Sequence, residues 1–370
     1  MALSPRARNS SLDPASPPVI PSGTTSAEDL AFAAFATRVR ADVDSELGAR
    51  MSRAHTRAGA FGDRVGAVIG SLGDLVTRGG KRLRAVLVAA AYEACGGEGG
   101  ASRVTNAGVA LELLQAYLLV HDDWMDQDDV RRGGPSVHAS LRRSLGDNHL
   151  GDASAILAGD YGVGLAQAAL LSVDAPNDRL LEAARVFARI QEDVVTGQLL
   201  DLVETASSVE VKHDLKTGSY TVRGPLAIGA ALAGATDAQR EAFDRYGGPL
   251  GVAFQLRDDL LGVFGDEGVT GKPKGSDLRE GKRTALVAEA ERDRDAARLL
   301  PRVLGVPDAP DEEVAALVAC IAACGAKAKV EARIEALLAE ARGALDGARF
   351  VEHARTVLLG AAKALGSRES

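Results

Sequence analysis

Residues 112–138, ELLQAYLLVHDDWMDQDDVRRGGPSVH, contain a long apolar helical run that ends in a group of acidic side chains. Asp122 and Asp126 are four residues apart, so on an α-helix they lie on one face a turn from each other, with Asp123 beside them. Carboxylates this close repel one another unless cations neutralise them. Mg²⁺ binds few protein carboxylates and completes its shell with water and phosphate oxygens. The pattern therefore predicts a helix that carries a magnesium site at its carboxyl-terminal end.

Two arginines, Arg131 and Arg132, follow the acidic group at once. Their planar guanidinium groups match the oxygens of a phosphate, so metal ligands and phosphate ligands share one short segment. The Gly133-Gly134-Pro135 run ends any helix, and we expect residues 130–136 to form a loop that closes on a ligand. A helix end whose acids and arginines only pair with each other in solvent is the alternative interpretation.

A second acidic pair argues against that alternative. Asp258 and Asp259 also end an apolar helical run, in residues 254–266 (FQLRDDLLGVFGD), and they lie 136 residues after the first pair. Two acidic helix ends that face each other would form one site for several metal ions.

Further cations are placed where an anion would be bound. Gly79-Gly80 precedes a helix whose first turn is predicted to hold Lys81, Arg82 and Arg84. Cations there oppose the helix dipole unless an anion binds, and a solvated basic turn is the alternative. Gln115 lies in an apolar strip two turns before Asp122, where it either satisfies a core hydrogen bond or reaches the substrate.

Two later segments carry lysines beside helix breakers. Gly218 follows Lys216 and Thr217 inside a helical pattern, which predicts a kink that aims the lysine inward. The loop 268–281 is rich in glycine and lysine, carries Lys272 and leads to Lys282, and is expected to act as a mobile basic lid.

Composition bounds the class of protein. The chain has 370 residues without an internal linker, which predicts one helical domain over 26–370 after a disordered tail over 1–25 that holds five of the thirteen prolines. A net charge of −8 gives no field for nucleic acid or an anionic membrane. No apolar run suggests a membrane span, and three unpaired-looking cysteines fit a reduced cytoplasm.

Six motifs together resemble the trans-polyprenyl diphosphate synthase family of the farnesyl and geranylgeranyl type. They occur in the family's order and span about 79–284: GGKRLR, the stretch at 112–138, GQLLDL, KTGSYT, FQLRDDLLGVFGD and GKPKGSDLREGKRT. The resemblance implies an all-α isoprenoid-synthase bundle around an apolar cavity, a homodimer, and condensation of isopentenyl diphosphate with an allylic prenyl diphosphate.

The resemblance also implies a role for each matching residue. The metal ligands for three Mg²⁺ ions would be Asp122, Asp123, Asp126, Asp258 and Asp259. Groups that clamp the allylic diphosphate would be Arg131, Lys216 and Lys272, with Lys282 near them. Isopentenyl diphosphate would be held by Lys81, Arg84, Gln115 and Arg132, and Thr217 and Gln255 would present oxygens to the allylic cation.

Product length should depend on what blocks the apolar pocket. Tyr117 is five residues before Asp122, about 7.5 Å deeper along a helix, although a tyrosine there fits a plain core position equally well. In the family a ring at this position stops chain growth early and a second ring at the next position stops it earlier still. Leu118 stands there, so we expect the C20 product, geranylgeranyl diphosphate, with C15 farnesyl diphosphate as the alternative.

One departure from the family pattern concerns the second motif, where Gly262 replaces a third aspartate. Asp266 or water is expected to complete that metal shell, and activity is expected to survive. Two other functions stay open at this point: a class I terpene cyclase, and a non-catalytic subunit that binds prenyl diphosphates.

Overall fold

The computed structural model describes residues 26–203, 214–265 and 273–366. The expected tail over 1–25, Lys272 and Asp266 lie outside the described residues, as do the side chains of Lys216 and Thr217.

Most of the described chain, 81 %, is helical, which confirms the predicted all-α class. Fifteen α-helices are present in these ranges, numbered here in chain order: α1 Ala27–Gly59, α2 Asp63–Thr77, α3 Leu83–Ala94, α4 Thr105–Asp126, α5 Val137–Leu145, α6 Asn148–Leu171, α7 Asn177–Leu202, α8 Gly224–Ala233, α9 Asp237–Phe264, α10 Ser276–Arg279, α11 Ala285–Ala290, α12 Arg294–Leu299, α13 Asp311–Ala323, α14 Ala326–Ala344 and α15 Glu352–Gly366. Short 3₁₀-helices cover Ala101–Val104, Leu300–Arg302 and Leu345–Gly347, and a π-helix covers Asp214–Arg223.

Helix α4 is at the centre of the bundle. It packs along α6 and also contacts α1, α2, α3, α5 and α8. Leu111, Leu113, Leu114 and Val120 are fully buried, as expected for a helix that is apolar on most of its faces. Because α4 is fixed on several sides, its acidic end is held rigidly.

Small residues let the helices approach closely. A Cβ added at Gly108 of α4 would lie 2.8 Å from the Ala85 methyl of α3, and one at Gly229 of α8 would overlap the Val88 carbonyl. The chain has only 4 % aromatic residues, so close helix contacts replace bulky side chains in the core.

The first helix begins at an N-cap serine, Ser26. Ser26 accepts from the Asp29 backbone N–H and Asp29 accepts from the Ser26 N–H, which completes a capping box. The far end of the chain folds back onto this helix, because Lys363 donates to Asp29 at 2.6 Å and Arg342 to Glu28 at 2.9 Å. The carboxyl-terminal helices therefore serve packing.

Two local features interrupt the helices where the site residues lie. Residues 130–136, expected to be a loop, contain a small antiparallel hairpin, Val130–Arg131 paired with Gly134–Pro135. The kink expected at Gly218 is a π-helix, a form that is common at functional sites.

Helix α6 bears on the expectation that no segment could cross a membrane. Within the described ranges, this one helix is long and apolar enough to do so. It is weak evidence for a span, because α6 packs against α4 and α5 as a core helix of a globular bundle does.

Candidate active site

The carboxyl-terminal end of α4 carries the first acidic group. The helix ends at Asp126, and Gln127 adopts the left-handed conformation (φ 56°) that terminates it. Asp122 lines a cavity, Asp123 is fully buried and Asp126 is exposed. The three carboxylates therefore face different surroundings, although they are adjacent in sequence.

Asp123 is paired with Arg131 of the hairpin. The Arg131 Nε donates to Asp123 Oδ1 at 2.7 Å, and Arg131 also contacts Asp128 at 3.4 Å. The other oxygen of Asp123, Oδ2, is buried and has no hydrogen-bond partner among the residues that the structure describes. Burial raises the pKa of Asp123 to about 6, even though Arg131 lowers it. This second oxygen could therefore bind a cation.

Arg132 is half-buried near other arginines. Its backbone is left-handed (φ 53°), and its Nη1 donates to the Leu75 carbonyl at 3.3 Å. Burial lowers the pKa of Arg132 below its ordinary value, and Arg82 and Arg84 lower it further. Like charges this close favour the binding of an anion.

Arg84 connects three helices. It is only 9 % exposed and donates to Gln115 Oε1 at 2.9 Å and to Thr221 Oγ1 at 3.1 Å. Its guanidinium carbon lies 4.2 Å from the centroid of the Tyr220 ring. Arg84 and Gln115 were predicted as site residues and the structure brings them together, whereas Thr221 was not foreseen.

The prediction that Lys81 and Arg82 lie in the first turn of a helix is wrong. Helix α3 begins at Leu83, so Lys81 precedes the helix and Arg82 is its N-cap. Arg82 is buried and donates to Glu112 at 3.0 Å and to Asp44 at 2.7 Å, which makes it part of an internal ion pair. Gly79, Gly80 and Arg82 have positive φ values, so the helix begins later than the basic pattern suggested.

The second acidic pair lies near the end of α9. Asp258 is exposed, whereas Asp259 is 4 % exposed and accepts from Gln255 Nε2 at 2.9 Å. Within the described ranges Asp259 Oδ2 has no hydrogen-bond partner, and burial raises the pKa of Asp259 to about 7. The amide of Gln255, predicted to face the substrate, therefore binds this carboxylate.

Gly262 has a specific neighbour. A Cβ at Gly262 would overlap the Asp277 carboxylate, which accepts from Lys282 Nζ at 2.7 Å. Lys282 also contacts Glu280 at 2.9 Å. Burial opposes the charge of Lys282, but the two carboxylates outweigh it and raise the pKa of the ammonium. Asp277, which the sequence reasoning missed, occupies the space that a side chain at 262 would take.

A cavity of about 220 Å³ opens beside Asp122. Tyr117 lines it and meets the His121 ring edge-on at 4.6 Å between centroids. The remaining lining is mostly apolar and comes from α4, α7 and the π-helix: Leu118, Leu119, His121, Met125, Val194, Val195, Gln198, Leu199, Leu202 and Tyr220.

The π-helix contacts the surroundings of both acidic pairs. Tyr220 lines the cavity next to Asp122, and a Cβ at Gly251 of α9 would lie 3.4 Å from Gly218. Asp259 is two turns further along α9 from Gly251.

Metal ions would fit the donors present. Asp123 and Asp259 each have one buried oxygen that no described residue contacts by a hydrogen bond, and both carboxyls have raised pKa values, as expected of ligands that lack their cation. Within the described ranges, no three acidic, histidine or cysteine side chains converge on one point. Such an open arrangement suits Mg²⁺, which takes most of its ligands from water and phosphate.

The site combines an acidic helix end, a hairpin with two arginines and an apolar cavity. Comparison with known proteins identifies the protein family that has such a site. A model of the polyprenyl synthetase family matches residues 68–321, and the chain belongs to that family. It is accordingly a prenyltransferase with the all-helical fold of prenyl diphosphate synthases.

Several members of the family with known product names are similar to this chain. A geranylgeranyl diphosphate synthase of Methanosarcina mazei is 39 % identical over 221 residues, which cover 58 % of this chain and 65 % of that protein. One of Sulfolobus acidocaldarius is 36 % identical, over 65 % of this chain and 72 % of that protein. A (2E,6E)-farnesyl diphosphate synthase of Mycobacterium tuberculosis is 37 % identical, over 64 % and 66 %.

A solved structure is also similar. The geranylgeranyl pyrophosphate synthase of Corynebacterium glutamicum, complexed with isoprenyl diphosphate and magnesium, has a TM-score of 0.81 and 32 % sequence identity. The match covers 90 % of this chain and 99 % of that one.

Proposed function

We propose that the protein condenses isopentenyl diphosphate head-to-tail with allylic diphosphates and releases geranylgeranyl diphosphate. The observation that carries the proposal is Asp122 at the edge of an apolar cavity, with Arg131 bound to the next residue, Asp123. A diphosphate at this edge would have its prenyl chain directed into the cavity. The three geranylgeranyl diphosphate synthases compared above support the C20 product.

Asp122, Asp123, Asp126, Asp258 and Asp259 would hold Mg²⁺, with three ions per site. When bound, the metal supplies positive charge for the oxygen of the departing diphosphate. Support comes from the unpartnered oxygens of Asp123 and Asp259. Asp277, in place of a third aspartate at 262, would complete the surroundings of the second group.

The chain's own cations would hold the two diphosphates. Arg131, Lys216 and Lys272, with Lys282 nearby, would clamp the allylic diphosphate and stabilise the charge that grows as its C–O bond breaks. Lys81, Arg84, Gln115 and Arg132 would bind the diphosphate of isopentenyl diphosphate. Arg84 supports this assignment because it is buried, charged and already oriented by Gln115 and Thr221.

The apolar lining would protect the allylic cation from water until the double bond of isopentenyl diphosphate attacks. Oxygens of Thr217 and Gln255 would stabilise that cation, and the departed diphosphate would accept the proton that is then lost. No histidine acts as a base in this scheme. His138 is fully buried beside Ser136 at 3.1 Å, and His121 packs on Tyr117.

Tyr117 would set the product length as the floor of the cavity. Its ring is in the lining, and the next position, Leu118, adds no second ring that would stop growth at C15.

We also propose that residues 26–370 form one domain and that the enzyme is a cytoplasmic homodimer. Leu150, Leu157 and Leu171 of α6 are 42, 65 and 60 % exposed and lie seven and fourteen residues apart, so they share one face of the helix. An exposed apolar face of this kind favours association with a second copy. Light scattering of the wild type and of Leu157→Glu tests this, because the substitution should shift the mass to that of one chain.

Product analysis tests the proposed activity. The purified chain is incubated with Mg²⁺, labelled isopentenyl diphosphate and each of the C5, C10 and C15 allylic diphosphates. A C20 product from all three is expected, and a product that stops at C15 would support the farnesyl alternative. A hydrocarbon formed from geranylgeranyl diphosphate alone would indicate a cyclase, and the absence of turnover would indicate a non-catalytic subunit.

Two variants make that experiment specific. Asp122→Asn should reduce turnover by about 100-fold or more, because the diphosphate loses charge stabilisation as it departs. Asp63→Asn, which changes an exposed acid at the start of α2, is the matched control and should leave turnover unchanged.

A further inference from the structure

The arginine hairpin is too small to hold its own shape. Each strand has two residues, Val130–Arg131 and Gly134–Pro135. Both residues of the connecting turn, Arg132 and Gly133, have left-handed φ values of 53° and 69°. Glycine adopts this conformation freely, but it strains an arginine. An isolated two-stranded hairpin is marginally stable at best, so another group must support this one.

Arg78 provides that support. It is the C-cap residue of α2, and its Nη1 donates to the Arg131 carbonyl at 3.1 Å and to the Pro135 carbonyl at 2.7 Å. One guanidinium nitrogen thus bridges the two strands. Gly134 makes room for it, because a Cβ at that position would lie 2.7 Å from the Arg78 guanidinium carbon.

The bridge fixes the residues that carry the diphosphate-binding cations. Arg131 is anchored through its own carbonyl, and Arg132 lies between the two bridged positions. The Arg132 side chain is also fixed to the end of α2, where it donates to the Leu75 carbonyl. Both arginines are therefore oriented with respect to α2 by contacts that sequence motifs do not reveal.

The hydrogen-bond partners of Arg78 indicate what its guanidinium group does. Among the residues that the structure describes, no carboxylate forms an ion pair with Arg78, and its recorded hydrogen-bond acceptors are both backbone carbonyls. The Arg78 guanidinium binds two neutral carbonyls beside two other arginines. It therefore orients the backbone and does not neutralise an acid.

We propose that Arg78 is a positioning residue for diphosphate binding, which holds the hairpin in the strained form that presents Arg131 and Arg132. The inference rests on the proposed function of those two arginines. It concerns how the chain orients them and not the chemistry that follows.

Arg78→Met and Arg78→Lys test the inference. Both variants lose the bridging guanidinium, but the lysine keeps the charge. We expect both to raise the KM for isopentenyl diphosphate by about 10-fold with a smaller change in kcat, since binding is lost and the metal ligands are untouched. Arg143→Met is the matched control, because Arg143 also donates to a backbone carbonyl, that of Ala139 at 3.1 Å, on an exposed part of α5.

Binding of inorganic diphosphate to the metal-free protein, measured by calorimetry, gives a readout apart from catalysis. Arg78→Met and Arg132→Met should each weaken it, and the double variant should be little weaker than Arg132→Met alone, because the two residues act as a unit. Additive losses would overturn the inference, as would wild-type binding by Arg78→Lys. So would a lower Tm without any change in binding.

The same measurement separates the inference from the proposed function. Failure of the wild type to make any prenyl product would contradict the proposed function. The role of Arg78 is decided by diphosphate binding alone.

Discussion

Arg131 and Asp123 form a partly buried ion pair in which the arginine Nε donates to Oδ1 at 2.7 Å, and among the described residues Oδ2 has no hydrogen-bond partner. The pair joins the arginine hairpin to the acidic end of α4. A proposed ligand of the diphosphate, Arg131, thus holds a proposed ligand of the metal ions, Asp123.

Arg131→Lys tests the importance of this pair. Lysine keeps the charge but cannot donate through a planar fork to Asp123 and a phosphate together, so we expect kcat to fall about 100-fold. Steady-state kinetics with saturating substrates measures the effect. A kcat within threefold of the wild type would show that charge alone suffices.

Asp259→Asn tests the pH dependence that burial imposes. The pKa of Asp259 is raised from 3.8 to about 7, so the folded protein binds this proton more tightly than the unfolded chain does. The associated stability is complete below pH ~4 and is lost as pH rises to about 7. The Tm of the chelator-treated wild type should therefore fall relative to that of Asp259→Asn between these pH values. Parallel curves for the two proteins would contradict the raised pKa.

Tyr117→Ala tests the floor of the cavity. Removing the ring opens space below the growing chain, so the product distribution should shift beyond C20. Chromatography of the dephosphorylated products measures it. Tyr161→Ala removes a partly buried ring of α6 that is not among the residues found to line the cavity, and its products should match those of the wild type. An unchanged distribution in Tyr117→Ala would remove Tyr117 as the floor.

Gly262→Asp restores the acid that many family members have, but it should not improve this protein. The new side chain would overlap the Asp277 carboxylate and break its 2.7 Å contact with Lys282. We expect a loss of about 1–3 kcal/mol in the free energy of unfolding, as for other overpacked sites. Gly248→Ala on the same helix is the control, because a Cβ there meets nothing within 4 Å. Equal stability of Gly262→Asp and the wild type would show that Asp277 moves freely.

Glu112→Gln tests how much the buried ion pair between Arg82 and Glu112 contributes to stability. Arg82 and Glu112 have side chains that are 2 and 1 % exposed, so loss of the carboxylate leaves a buried guanidinium charge with less compensation. Breaking a buried pair in this way costs about 3–5 kcal/mol. Chemical unfolding should detect this cost. Glu331→Gln removes one half of the exposed pair with Lys327 and should change stability by under about 1 kcal/mol.

Local sequence patterns were sufficient to predict the helix that ends at Asp126, the break at residues 133–135 and the irregularity around Gly218. Each of these depends on residue types within a few positions, as does the second acidic pair at the end of an apolar run. The family motifs added the role expected of each residue. The proposed roles of Lys216, Thr217 and Lys272 stay predictions.

Sequence alone could not reveal Arg78, Thr221 or Asp277. Arg78 meets a carbonyl 53 positions away, and Thr221 meets Arg84 across 137 positions. Such contacts arise only when helices pack. The same cause explains why Arg82 was placed in a phosphate-binding turn, since its partners Glu112 and Asp44 lie on two other helices.

Arg84 is held by Gln115, Thr221 and the Tyr220 ring before any substrate arrives. Its side-chain entropy is therefore already lost when the protein folds, and a diphosphate that binds it need not immobilise a flexible arginine. Preorganisation of this kind lowers the entropic cost of association. A diphosphate, which must lose much of its hydration to bind, can therefore associate with Arg84 without the further cost of ordering that side chain.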